Sequence, residues 1–275
     1  MTTIHRLDEL PASWGPCVLT IGVFDGVHRG HAQLISRTVD HAGRLGLPAV
    51  LVTFDPHPAL VVGPPRDVAA LTSIPHRADL ATGLGVDAVC VLSFTREFAQ
   101  LTPAEFVDHV LADTLKAAAV VVGANFTFGH RGAGTTDTLA QLCGQHGIAT
   151  DVVGLLHQID STCSSTSIRA ALRRGDIRRA TAALGRPHRI DATITVQPDG
   201  ALEIHTPSGA AIPAPGRYFT RIDGRIPSIV CIDEHGHIHL HPRSSAGLDA
   251  ASIEFLDVSV QPRRRSRREV TRSTG

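Results

Sequence analysis

Residues 17–21 (CVLTI) form an apolar run that favours extended chain. Residues 31–45 then carry Leu34, Ile35, Val39, Ala42 and Leu45 at helical spacing, and Gly46 and Pro48 end the pattern. AVLVTF (49–54) is apolar almost throughout, as a strand buried on both faces would be. The alternation continues with a helix over 75–84 and a strand over 87–92. A helix follows whose start is marked by Thr102, Pro103 and Glu105, a capping box with proline at the first helical position. A buried strand at 118–123, a helix at 136–146, a strand at 149–153 and two short helices, the second starting at Asp176, complete the series. Strand and helix in strict alternation predict an α/β fold with a parallel sheet covered on both faces.

After Pro187 the pattern changes. ATITV, a Pro198-Asp199-Gly200 turn and ALEIHT read as two strands, and SIVCI, DEHG and HIHLH repeat that arrangement. SIEFLDVSV reads as a last strand. The chain is therefore divided into an α/β domain (residues 1–187), a small β-rich, barrel-like or sandwich domain (188–262) and a tail (263–275).

Composition adds three constraints. Aromatics are 4% of the 275 residues, so Val, Leu, Ile and Ala must build the core. The five cysteines (17, 90, 143, 163, 231) are far apart with no C-x-x-C pair, as expected of free thiols in a reducing cytoplasm. No apolar run reaches the roughly 18 residues of a membrane span, and no signal peptide is expected. Formal net charge is zero, yet the tail RRRSRREVTRSTG holds six Arg and one Glu, leaving a body with 20 basic and 25 acidic residues. A disordered basic tail is expected, with neither a membrane nor a nucleic-acid partner.

Ligands of open parallel sheets bind at the carboxyl ends of the strands. Four polar clusters fall there: Asp25, Gly26, His28, Gly30 and His31; Asp55-Pro56-His57-Pro58; Gly123 to Gly129 with Asn125, Phe126 and Phe128; and Ser164-Ser165-Thr166-Ser167-Ile168-Arg169. His28 and His31 share one face of a first helical turn, whose free N–H groups favour an anion. Two histidines three apart also suit a metal, but no third ligand stands at metal-site spacing, although His57 is a candidate neighbour. Hydroxyls at the start of S-S-T-S-I-R suit a phosphate clamped by Arg169, or an ordinary helix cap with a surface arginine. Phe126 and Phe128 suit core packing or a flat-ring pocket equally.

TIGVFDGVHRGH, VTFDPHP, VVGANFTFGHRGAGT and SSTSIRAALRRGDIRRATAALGRP, in this order, resemble the prokaryotic bifunctional riboflavin kinase/FAD synthetase family over roughly residues 15–190. The resemblance implies a Rossmann-like nucleotidyltransferase domain that transfers AMP from ATP to FMN with Mg²⁺. It implies that Gly22, Phe24, Asp25, Gly26, His28, Gly30 and His31 form the ATP turn. It further implies that Asn125 lies near phosphates and metal, and that Ser165, Thr166 and Arg169 form a phosphate loop. His57, Phe106 and Phe128 would lie beside the flavin. His28, His31, Asn125 and Arg169 are the candidate catalytic residues, and Asp25 serves equally as a metal-shell or turn-forming residue. Two departures stand out. The loop after D-P-H-P, often aromatic in the family, reads ALVVGPP. The G-x-P-T-x-N motif and later Glu of the family's kinase module are missing, so residues 188–262 look like a shortened, degenerate kinase barrel without riboflavin kinase activity. Two alternatives to FMN adenylylation remain at this stage: another phosphorylated acceptor, or a non-catalytic flavin- or nucleotide-binding regulator.

Overall fold

The computed structural model describes residues 4–11, 14–64, 67–154, 163–196, 202–240 and 250–258. The 198–200 turn and the basic tail lie outside these residues.

Six parallel strands form one sheet: β1 (Ile4–Arg6), β2 (Cys17–Ile21), β3 (Ala49–Asp55), β4 (Ala88–Ser93), β5 (Ala117–Gly123) and β6 (Ala149–Val153), in the order β1-β4-β3-β2-β5-β6. Alternate residues of each strand point to opposite faces. Leu19, Val50, Val52, Val120 and Val122 pack with Val107, Leu111, Leu139 and Cys143 on one face. On the other, Leu51, Val89 and Val91 pack with Ile35, Ala78 and Ala81, and Val18 and Val121 with Ala42. The near-continuous apolar strands of the sequence thus reflect burial on both sides. Only β1 was invisible beforehand, because three residues carry no periodicity.

The helices that cover the sheet are α1 (Arg29–Leu45), α2 (Pro58–Val61), α3 (Ile74–Gly83), α4 (Pro103–Glu105) and α5 (Thr136–Gln145). At α4 the capping box is present in both directions, Glu105 accepting from the Thr102 N–H at 2.8 Å and donating its own N–H to Thr102 at 3.2 Å. The chain continues as a π-helix over Phe106–Thr114, where the Leu115 N–H reaches the Val110 carbonyl at 2.9 Å. The Asp55–Pro56 peptide is cis.

The second half is a closed antiparallel barrel of β7 (His188–Val196), β8 (Leu202–His205), β9 (Gly216–Ile222), β10 (Ile226–Ile232), β11 (Ile238–Leu240) and β12 (Ala250–Val258), in the order β10-β11-β8-β7-β12-β9. Closure removes the exposed edges that a six-strand open sheet would leave. Helices α6 (Ser165–Arg173) and α7 (Ile177–Leu184) precede it in the chain. Their Ile168, Leu172, Ile177, Ala180 and Leu184 belong to the same apolar cluster as Ile190, Tyr218, Val230, Ile253 and Phe255 of the barrel. The change from helices to strands at residue 187 is therefore not a break in packing. Ser73 also donates to Asp191 at 2.6 Å, and Ala70 forms a bridge with Ala210.

His188 lies in this shared core, 1% exposed, with Nε2–H donating to the Ala211 carbonyl at 2.7 Å. Burial pushes its pKa down to about 4, and His76 at the α3–barrel contact is lowered to about 4 for the same reason. An unfolded histidine titrates near ~6.5. Between these values the unfolded chain binds protons that the folded chain does not. Stability is therefore complete above that range and is lost as pH falls through it. The melting temperature is expected to fall from pH 7 to pH 4.5, and less steeply in His188→Gln, which keeps a donor without the titration. Equal slopes in thermal scans would show that His188 does not contribute.

Candidate active site

The chain passes from β2 to β3 on one side of the sheet and from β5 to β6 on the other, which makes β2 and β5 the switch point where a crevice opens. A cleft of about 1440 Å³ lies there. Its lining comes from the turns after β2, β3, β4 and β5, and from residues 163 and 164 before α6.

The turn from β2 into α1 is strained. Phe24 (φ 50°) and Val27 (φ 37°) occupy the left-handed region without being glycine, and Gly26 has φ 86°. Such residues cost on the order of 1–3 kcal/mol each unless their surroundings hold them. Asp25, 2% exposed, supplies that hold. Its carboxylate accepts the N–H groups of Leu71 and Thr72 at 3.0 and 3.1 Å, binds Arg169 Nη2 at 2.5 Å and lies 3.5 Å from Arg77 Nη2. Its backbone carbonyl accepts from Ser165 Oγ at 2.8 Å. Arg186 holds the other side of the turn, donating to the carbonyls of Gly26 at 2.5 Å and Val27 at 3.0 Å. Burial lowers the Arg186 pKa to about 10.

This frame sets the two histidines. His28 is the N-cap of α1, and its Nδ1 accepts the His31 N–H at 3.3 Å. An accepting Nδ1 places the ring proton on Nε2. The cap also starts α1 two residues earlier than the apolar spacing indicated. The His28 and His31 rings stack at 3.6 Å and 16°, and Phe24 meets His31 edge-on at 5.0 Å. Burial, then the Arg186 charge, pushes the His28 pKa to about 4; burial, then His28 and the nearby arginines, holds His31 well below its usual value. Both imidazoles are neutral donors at pH 7. The buried His31 Nδ1 has no partner among the described residues.

Across the switch point, Asn125 is exposed after β5 and makes no intramolecular hydrogen bond among the described residues. The rest of the wall is aromatic. Six of the nine phenylalanines build this wall, and a seventh, Phe24, lines the histidine side, so this wall is a built slot. Phe54, Phe94 and Phe98 touch one another, Phe98 meets Phe106 at 6.2 Å, Phe106 meets Phe128 at 5.4 Å, and Phe126 stacks on Phe128 at 5.7 Å. One end of the cleft thus suits phosphates and the other a flat ring.

Residues 10–167 match the sequence profile of FAD synthetase. The chain belongs to the FAD synthetase family. It is 33% identical to the bifunctional riboflavin kinase/FMN adenylyltransferase of Pseudomonas fluorescens over 81% of this chain and 73% of that one. Proteins of the same name from Listeria monocytogenes and Escherichia coli K12 are 35% and 31% identical over 64% and 70% of this chain, which spans 56% and 60% of theirs. The crystal structure titled macrolide-efflux protein from Streptococcus pneumoniae shares the fold, with a TM-score of 0.78 at 20% identity over 93% of this chain and 90% of that one.

Of the residues that the family resemblance singled out, the structure brings Gly22, Phe24, His28, Gly30, His31, Phe106, Asn125 and Phe128 to the cleft. Asp25, Gly26, His57, Ser165, Thr166 and Arg169 do not line it among the described residues. Asp25 is turn-fixing: its oxygens are occupied by backbone N–H groups and arginines, leaving none turned to a metal. Arg169 is 5% exposed and committed to Asp25 and, through Nε, to the Ala69 carbonyl at 2.7 Å, so it is no clamp on a ligand in this arrangement. Gly26 gives its N–H to Thr72 at 3.2 Å, His57 caps α2 by accepting the Ala59 N–H at 3.1 Å, and Thr166 is exposed on α6. Sequence reasoning missed Phe54, Phe94, Phe98 and Arg186. The phenylalanine pair in FTREF, directly after a strand of a chain so poor in aromatics, was the available signal.

Gly30 sits where an added Cβ would lie 3.2 Å from His28 Cε1 and 3.3 Å from its Nδ1. Alanine is the better helix former by about 1 kcal/mol. Gly30→Ala is therefore expected to leave the melting temperature unchanged or raised while lowering kcat/KM about tenfold, a split that calorimetry and kinetics read separately. Asp25→Ala strands two buried guanidinium groups and is expected to destabilise the fold by about 3–5 kcal/mol in urea unfolding.

Proposed function

We propose that this chain transfers AMP from ATP to FMN, forming FAD and pyrophosphate, and does not phosphorylate riboflavin. The observation that carries the reading is the joining of two unlike walls in one cleft. Neutral histidines at a helix start face one end, and a continuous phenylalanine surface forms the other. Missing aromatics after D-P-H-P are offset by Phe54, Phe94 and Phe98, which favours a flavin acceptor over a non-aromatic one.

In the proposed reaction an FMN phosphate oxygen attacks the α-phosphorus of ATP. The bond from that phosphorus to the β-bridging oxygen breaks, and pyrophosphate leaves with the electron pair. No side chain is covalently modified. The N–H groups at the start of α1 and the Nε2–H of His28 face the accumulating charge, and His31, stacked against His28, adds a second neutral donor. Such fixed donors stabilise a transition state without reorganising. Their low pKa values mean that the free enzyme needs no proton uptake to reach this state near neutrality.

Among the described residues no three His, Cys, Asp or Glu side chains converge as a metal site. Asn125, whose amide oxygen makes no hydrogen bond among the described residues, would be the protein partner of a magnesium ion carried in with the nucleotide. When bound, Mg²⁺ would neutralise phosphate charge. No helix among the described residues is long and apolar enough to cross a membrane, and all five cysteines are free thiols, which supports the cytoplasm as the site of action.

The loss of kinase activity rests on the absent P-T-x-N and catalytic Glu of residues 188–262. Purified protein with ATP, Mg²⁺ and FMN is expected to release pyrophosphate and form FAD, while riboflavin with the same nucleotide yields no FMN by chromatography. His28→Ala and His31→Ala are each expected to lower kcat/KM on the order of 10²-fold. FMN formation from riboflavin would restore the second activity, and wild-type rates in both variants would remove the histidines from the mechanism.

A further inference from the structure

A cleft that takes ATP and FMN must meet several negative charges, yet the arginines around its phosphate end are already committed. Arg77 and Arg169 bind Asp25, and Arg186 binds the carbonyls of the turn. Among the described lining residues a single Arg or Lys remains, Arg131. It is exposed, and its guanidinium has no hydrogen-bond or carboxylate partner among the described residues.

Its backbone is unusual in the same way as the β2–α1 turn. Arg131 has φ 55° and ψ 20°, a left-handed conformation that is costly for a side chain with a Cβ, between Gly129 at φ 72° and Gly132 at φ 68°. The turn is pinned from outside. The His130 N–H donates to the Leu101 carbonyl at 2.6 Å, its Nδ1 lies 3.2 Å from the Ala99 carbonyl, and the Gly132 N–H donates to Gly129 at 2.9 Å. A strained residue on a fixed turn beside a cleft, with its charge unspent, is an arrangement that structural needs do not explain. Glycine would fit that backbone better.

We infer that Arg131 binds the phosphate of FMN. This rests on the adenylyl-transfer reading and names the acceptor's recognition group within it. The placement decides between the two substrates. Arg131 follows Phe126 and Phe128 on one loop, so it approaches from the aromatic end, whereas the triphosphate end is defined by His28 and His31 on α1. A guanidinium takes two oxygens of a phosphate in its planar fork and leaves the third free to attack. It also separates FMN from riboflavin, which offers the same ring without the charge.

The test compares wild type, Arg131→Gly and Arg131→Lys. Glycine accepts φ 55° without strain, so the first variant removes the charge while keeping the turn, and its melting temperature reports that the fold is intact. Expected is a rise in KM for FMN of at least about tenfold, with KM for ATP within about twofold. The inhibition constant of riboflavin should be unchanged, so discrimination between FMN and riboflavin falls by the same factor. Lysine should restore part of the loss. If wild type makes FAD and Arg131→Gly keeps its KM for FMN, or the loss falls on ATP instead, the assignment of Arg131 is overturned. If wild type makes no FAD from FMN, the adenylyl-transfer reading fails and this inference with it.

Discussion

The buried carboxylate of Asp25 is the constraint on which the site depends. Two arginines, two backbone N–H groups and a hydroxyl meet on it. A charge taken out of water in this way is tolerable only when its partners are in place. The partners come from two stretches of chain far from residue 25 in sequence, residues 71–77 and Arg169, so the network forms only when the sheet, α3 and α6 are docked together. The same residue begins the strained turn that presents His28. Folding energy is thereby coupled directly to the geometry of two imidazoles.

In the proposed reaction the histidines are an unexpected solution to phosphate binding. A pair of imidazolium cations would attract phosphate more strongly, but two charged rings stacked at 3.6 Å would repel each other. Burial and the neighbouring Arg186 keep both neutral instead. On the proposed reading the site relies on orientation, with helix-start N–H groups and the Nε2–H of His28 held by the cap at Nδ1, and leaves countercharge to the proposed Arg131 contact.

The sequence made the sheet readable because its strands are buried on both faces and therefore apolar throughout, as in AVLVTF. H-R-G-H was readable because a strand, two glycines and a helical spacing follow one another directly along residues 17–45. The engagement of Arg169 by Asp25 was hidden for the opposite reason. The arginine's place in S-S-T-S-I-R matches a phosphate clamp, and nothing local reveals a carboxylate 144 positions away that claims its guanidinium. Arg186 escaped notice on the same ground, since its partners are carbonyl groups that every residue possesses. The aromatic slot was hidden by dispersal: its phenylalanines arise from separate turns, and only the sheet order brings them together.

The apolar cluster that joins α6 and α7 to the barrel carries a consequence for how such a chain changes over time. Arg186 lies in the short link between the last helix and the first barrel strand, so deleting the barrel would remove the anchorage of the residue that braces the β2–α1 turn. A lineage relieved of any use for the barrel's own chemistry could not simply discard it. What remains after such a loss would be a buttress, inherited for the weight it bears on its neighbour, and free to shorten its loops as long as its closed wall stands.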